Sequence, residues 1–281
     1  MKIVVTGATG FIGRHVVNWL VEKNQYEIIA SGTSAKKAST FSWYNKVKFL
    51  PCDYYEQNID YYTYFEKPDL LIHLAWKGLP NYSELFHLDE NLPFEMRFLK
   101  SFSISAHTKI VVAGTCFEYG LVNGCLSEDL VTNPVTVYGI AKDTLQKYLV
   151  LLTKKNSNQW NWIRLFFMYG PGQNPKSLLP LLDAAIQNRD TKFSMSGGEQ
   201  LRDYLPVETV ANNICQIAIQ NKINGIVNCC SGNPISVRNL VEKHKKERHS
   251  QIALNFGEYP YPEYEPMAFW GNNSKLLQIL Q

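Results

Sequence analysis

None of the six cysteines (Cys52, Cys116, Cys125, Cys215, Cys229, Cys230) stands in a C-x-x-C pair or beside a histidine at metal-ligand spacing. Neither a disulfide framework nor a zinc site is supported, and reduced, mostly buried thiols are expected, with no metal. No apolar run approaches the roughly 18 residues of a membrane span. The residues after Met1, Lys2-Ile3-Val4-Val5, read as a first strand rather than a signal peptide, so a cytoplasmic protein without a membrane partner is expected. The net charge is only +3, and the basic run Lys243-His244-Lys245-Lys246-Glu247-Arg248 is short and interrupted. That run reads as a solvated helix end, and nucleic acid is excluded as a partner. There is no internal repeat, low-complexity linker or clean domain boundary. What remains is a 281-residue chain of ordinary composition, 45% hydrophobic and 19% charged. It is long enough for one large α/β domain, or for one domain with a small appended lobe.

The first half alternates β-rich runs with helical patterns: Lys2 to Val5, a helix from Phe11, Glu27 to Ala30, Val47 to Leu50, Leu70 to Leu74, a long helix near Tyr82 to Ser103, then Lys109 to Ala113. This cadence predicts a doubly wound parallel sheet with both faces covered, so the fold class is α/β. The second half is less regular, with Pro171, Gly172, Pro175, Gly197, Gly198 and the stretch Tyr259-Pro260-Tyr261-Pro262-Glu263-Tyr264-Glu265-Pro266. Loops of that kind are where selectivity usually sits. Residues 1–165 are expected to be mainly core, and 166–281 mainly a smaller C-terminal lobe.

Two motifs carry chemistry. Gly7, Gly10 and Gly13 stand where the first strand turns into the first helix, in Thr6-Gly7-Ala8-Thr9-Gly10-Phe11-Ile12-Gly13. Glycine there lets backbone approach a pyrophosphate that the helix N-terminus attracts. The spacing is G-x-x-G-x-x-G rather than G-x-G-x-x-G. Tyr138 and Lys142 stand four apart at the start of a predicted helix and share one face, roughly 5 to 6 Å apart at Cβ. A free phenol has a pKa of about 10, and a nearby unsolvated positive charge favours its ionised form. Together the motifs point to redox chemistry on a bound dinucleotide.

With these motifs come His73-Leu74-Ala75, Thr115-Cys116-Phe117-Glu118-Tyr119-Gly120, Arg164-Leu165-Phe166-Phe167-Met168-Tyr169-Gly170-Pro171-Gly172 and Arg202-Asp203-Tyr204. In this order, over nearly the whole chain, they resemble the extended branch of the short-chain dehydrogenase/reductase superfamily, the NAD-dependent epimerase/dehydratase family, with a Rossmann-type sheet. The resemblance implies Tyr138 as catalytic acid/base, Lys142 as ribose ligand and modulator of the phenol, and Thr115 as hydrogen-bond partner of the reacting oxygen. It places the cofactor against Gly7, Thr9, Gly10, Phe11, Ile12, Gly13, Asp53, Tyr54, Leu74 and Ala75. Asp53 would hold the adenine amino group, or alternatively serve as a strand-end turn residue. Substrate would meet Asn91, Phe167, Lys176, Arg202 and Tyr264, with Arg202 on the diphosphate of a nucleotide sugar. Asn91 reads equally well as a packing residue. Phe167 departs from the asparagine common in sugar-nucleotide epimerases and dehydratases.

The second strand ends Ala30-Ser31-Gly32-Thr33-Ser34-Ala35-Lys36-Lys37 without the carboxylate that usually accepts from an NAD ribose. Ser31, Thr33, Lys36 and Lys37 therefore favour NADPH, with NADH possible. Dehydratases of the resembling family place an Asp-Glu pair after the threonine, where this chain has Cys116-Phe117, and C3/C5 epimerising enzymes place a cysteine where Phe117 stands. Cys116 reads as a buried thiol. The expected reaction is NADPH-dependent reduction of a nucleotide-linked 4-keto-6-deoxyhexose, dTDP-linked first, for bacterial surface polysaccharide (O-antigen). An NAD-dependent nucleotide-sugar 4-epimerase and a CDP-linked dideoxysugar synthase are the alternatives. The resemblance also implies a C2 homodimer through the helix near Tyr82 to Ser103 and the Tyr138 helix. Light scattering should read twice the chain mass at micromolar concentration, and a monomer there would refute it.

Overall fold

The computed structural model describes residues 1–53, 59–105 and 107–281. Among them a seven-stranded parallel sheet is built from β1 (Lys2–Thr6), β2 (Glu27–Gly32), β3 (Lys48–Pro51), β4 (Leu70–His73), β5 (Lys109–Thr115), β6 (Trp160–Leu165) and β7 (Gly225–Cys229). The spatial order is β7-β6-β5-β4-β1-β2-β3. The strands are near-continuous apolar runs because both faces are covered. On one face α1 (Gly13–Lys23) packs Val16, Val17 and Leu20 with Val210, Ile214 and Ile217 of the Val207–Ile219 helix. On the other, Phe98, Leu99 and Phe102 of α2 (Leu92–Ser103) pack with Leu145 and Leu149 of α3 (Val137–Asn156). A third cluster, including Leu179, Leu182, Val237, Val241 and Ile252, forms the centre of a smaller lobe.

The strand order reverses between β1 and β4, and the crevice at the carboxyl ends of such strands is where ligands bind in open α/β sheets. The glycine turn follows β1, Leu74-Ala75 follow β4, and Thr115 ends β5, so the topology brings all three to one edge. Thr6 and His73 are register partners across the switch. The Thr6 hydroxyl lies 2.7 Å from His73 Nδ1 and accepts from the Leu74 and Ala75 amides.

One predicted element is different in kind. The long helix near Tyr82 to Ser103 is instead a turn region, a π-helical turn over His87–Asn91 and then α2. The Leu92 amide donates to the His87 carbonyl, and Pro93, in the first turn of α2, has no N–H to give. A proline is tolerated there but does not supply the bond that would tighten the preceding turn. Other bounds moved by one to two residues: α1 begins at Gly13 rather than Phe11, and β5 runs to Thr115.

Candidate active site

The glycine turn is shaped for close approach. Gly7 has φ +65, and a Cβ there would lie 2.9 Å from the Ala75 amide nitrogen; at Gly13 it would lie 2.1 Å from the Gly7 carbonyl oxygen. Only glycine keeps this cradle open. The first turn of α1 carries no acidic residue, leaving its positive end for an anion. A cavity of about 570 Å³ runs from Gly7, Gly10, Phe11, Ile12 and Gly13 past Leu74, Trp76 and Thr115 to Tyr138, then into the lobe at Asn174 and Ser177. These residues fit a dinucleotide: backbone for the pyrophosphate, a walled channel for the rest, and a phenol at its end. A second cavity of about 660 Å³ also touches Leu178 and reaches Tyr259 and Pro260.

Thr136 caps α3 by accepting from the Gly139 amide, which fixes where the helix starts and aims Tyr138 into the cavity. The phenol is enclosed by Trp76 (5.7 Å between ring centroids), Tyr82 (5.7 Å) and His87 (5.4 Å). Tyr138 is 7% exposed, and burial pushes its proton affinity well above that of a free phenol, reinforced by Tyr82, Glu118 and Cys116. A hydrogen bond from Thr115 opposes this. Near neutral pH the group is an acid. Thr115 Oγ1 accepts from the Phe117 amide at 3.2 Å, which leaves its single hydroxyl proton to donate either to the phenol or to an oxygen bound beside it.

Lys142 is held by partners that the helix spacing does not contain. Its ammonium donates to the Ala113 carbonyl at 2.9 Å and lies 3.9 Å over the Trp76 ring, and Tyr138 is not its partner. Burial lowers its pKa to about 8, against the opposing pull of Glu95 and Glu118. Behind Thr115 sits a group the sequence reading passed over: Glu118, 0% exposed, accepts from the Thr115 amide, the Trp162 indole and Arg164 Nε. The T-x-x-E spacing of Thr115 and Glu118 is a capping-box signature, and the box is formed. Trp76, Tyr82 and His87 were also missed; nothing in their local spacing marks them.

The structure brings Phe167 into the cavity lining, while Tyr264 meets Tyr82 and Phe117 at 6.0 and 6.1 Å. Asn91 is buried and donates to the Lys77 carbonyl and toward His87 Nδ1. Lys176 is exposed and outside the lining, although Asn174 and Ser177 beside it are inside. Arg202 is 1% exposed and held by Glu265 through Nε and Nη2, at 3.1 and 2.8 Å. A diphosphate reaches this guanidinium only by sharing it with, or displacing, that carboxylate. Ser31 is buried and donates to the Leu50 carbonyl, so its hydroxyl proton is not presented to a 2′-phosphate. Thr33, Lys36 and Lys37 are exposed around the short Ala35–Ala38 helix, and Asp53 is exposed just after β3. Tyr54 lies outside the described residues. Thr9 faces Gly32, its hydroxyl oxygen 3.0 Å from where a Cβ would stand.

The model of the NAD dependent epimerase/dehydratase family matches residues 3–230. Among relatives, a dTDP-6-deoxy-L-talose 4-dehydrogenase (NAD(+)) of Aggregatibacter actinomycetemcomitans is 29% identical over 96% of this chain and 99% of that protein. A GDP-6-deoxy-D-talose 4-dehydrogenase of the same organism is 26% identical over 100% of this chain and 91% of its own length. Among solved structures, the UDP-N-acetylglucosamine 4-epimerase of Methanobrevibacter ruminantium M1 superposes with a TM-score of 0.86 at 22% identity, covering 99% of this chain and 91% of that one. No helix among the described residues is long and apolar enough to cross a membrane.

Proposed function

The chain belongs to the NAD dependent epimerase/dehydratase family, and from that premise we propose that it reduces the 4-keto group of a nucleotide-activated 4-keto-6-deoxyhexose. The bound dinucleotide supplies the hydride. Tyr138, protonated across the working pH range, gives its proton to the C4 oxygen, and the Thr115 hydroxyl hydrogen-bonds that oxygen as negative charge develops. Lys142 contributes through the ribose rather than through the phenol.

The observation that carries this reading is the wall around the reacting centre. Leu79, Tyr82, Phe117 and Phe167 line the cavity near Tyr138 and Thr115. A C6 methyl gains burial against the Leu79, Phe117 and Phe167 side chains, whereas a C6 hydroxyl placed there exchanges water for an apolar surface. The two full-length relatives, named for 4-dehydrogenation of 6-deoxytalose nucleotides, support the same class. Asn174, Ser177 and Leu178 line the lobe end of the same cavity and give a nucleotide room beyond the reacting centre.

The test offers purified protein dTDP-, CDP-, UDP- and GDP-linked 4-keto-6-deoxyhexoses with NADPH or NADH, and identifies products by NMR. We expect stoichiometric dinucleotide consumption, the dTDP substrate to be preferred, and the 6-hydroxy analogue to be roughly 10- to 100-fold poorer in kcat/KM. An apolar pocket rejects an added hydroxyl by no more than about that. NADPH should exceed NADH by at most about tenfold, because two exposed lysines each contribute little to a phosphate contact. NADH equal to or better than NADPH would overturn the cofactor preference. Interconversion of UDP-glucose and UDP-galactose without net dinucleotide consumption would replace this reading with the 4-epimerase one.

A further inference from the structure

Lys142 is held by an arrangement that the Tyr-x-x-x-Lys spacing does not contain. Its ammonium sits between the Ala113 carbonyl and the face of Trp76. The indole ring is itself fixed: Trp76 Nε1 donates to His87 Nδ1 at 3.0 Å, and the two rings stack with 26° between their planes. His87 Nε2 lies 2.9 Å from the Asn81 carbonyl and must donate to it, so Nδ1 is the acceptor, which the Asn91 amide also approaches at 3.2 Å. This assigns the neutral Nε2–H tautomer. A proton on Nδ1 would oppose two donors, and burial lowers the pKa of His87 in the same sense.

We propose that Trp76, locked by His87, is a positioning residue that holds the Lys142 ammonium at the cofactor end of the cavity and stabilises its charged form. The proposal rests only on the dinucleotide half of the function given above. Besides the indole, the charged and titratable groups acting on Lys142 are Glu95 from α2, Glu118 after β5 and His87 from the π-helical turn. The two carboxylates favour the ammonium, and desolvation disfavours it more strongly. The indole face adds to the favourable side, since a desolvated cation over tryptophan is among the stronger cation–π contacts. Its removal should therefore lower the pH at which Lys142 loses its proton.

The test reads Lys142 directly, from the ¹³Cε shift of lysine-labelled protein against pH, assigned with Lys142→Arg, and pairs it with fluorescence titration of NADH and NADPH. In Trp76→Leu the Lys142 midpoint should fall from about 8 by roughly one unit. The dinucleotide Kd at pH 8 should rise about fivefold, as the charged fraction of the amine falls with the midpoint, and recover toward wild type at pH 6.5, where the amine is recharged. His87→Leu, which frees the indole N–H, should move both quantities part of the way, and His87→Gln, which restores a donor and an acceptor, should return them. Trp76→Phe keeps a weaker face and gives an intermediate midpoint even if Trp76→Leu does not fold. An unmoved Lys142 midpoint in a folded Trp76 variant, or equal effects of His87→Leu and His87→Gln, would overturn the proposal. Because no sugar is used, failure of every substrate in the panel above would leave this result unaffected.

Discussion

Tyr138→Phe should lower kcat by about 10² to 10⁴-fold while substrate affinity changes little, because the ring packing among Trp76, Tyr82 and His87 is kept and only the acid is lost. Thr115→Val should cost roughly 10- to 1000-fold by deleting a hydrogen bond to the reacting oxygen, and Thr115→Ser should be mild. Lys142→Met should raise the dinucleotide KM as well as lower kcat. Cys116→Ser is the control: the thiol is buried beside the phenol, and burial raises its pKa far out of the working range, so it has no acid/base role to lose. The pH profile separates the two titratable groups. Tyr138 remains protonated throughout, so an alkaline fall in kcat/KM reports Lys142, whose ammonium is present below about 8 and lost above it. Retention of more than about a tenth of wild-type kcat by Tyr138→Phe, or a loss in Cys116→Ser as large as that in Tyr138→Phe, would remove Tyr138 from the role of acid.

The parts of this fold legible in the sequence are those fixed by local chemistry. Apolar runs bounded by turn residues placed the first five strands, and the glycine spacing placed the turn, since any side chain at Gly13 collides with the Gly7 carbonyl. Thr115, Tyr138 and Gly7 converge because successive parallel strands bring their carboxyl ends to one edge. What was not legible depends on residues far apart in sequence. The pairing of Arg202 with Glu265, 63 positions away, and the seating of Lys142 on Trp76 arise from loop packing that no periodicity encodes. Ser31 shows the same limit on a smaller scale: the strand's composition suggests a ligand hydroxyl, but the pleat turns it inward to Leu50. The start of α2 is marked by a local signal, Pro93, because a proline favours a first helical turn over the interior of a longer helix.

Glu118→Ala should be among the most destabilising single substitutions in the chain. Burial pushes the Glu118 carboxyl up, and Arg164, the Thr115 amide and the Trp162 indole pull against that shift. Arg164 is itself 2% exposed, so removing Glu118 leaves a guanidinium, an indole N–H and a backbone N–H buried without their common acceptor. Breaking a buried pair from one side costs about 3 to 5 kcal/mol, which for a chain of this size lowers Tm by on the order of 10 °C. The opposite cost, that of burying the charges at all, predicts the companion result: Glu118→Ala with Arg164→Met should be more stable than Glu118→Ala alone, because no unpaired charge remains. The two halves differ in activity. Stability returns in the double variant, but kcat should stay depressed, since the carboxylate that fixes the Thr115 backbone is still missing. Denaturant unfolding of wild type and both variants, with kcat on whichever substrate the panel identifies, separates these effects. A loss below about 1 kcal/mol in Glu118→Ala would mean that the pair adds nothing beyond an exposed salt bridge. Full recovery of kcat in the double variant would mean that Thr115 is placed by β5 alone.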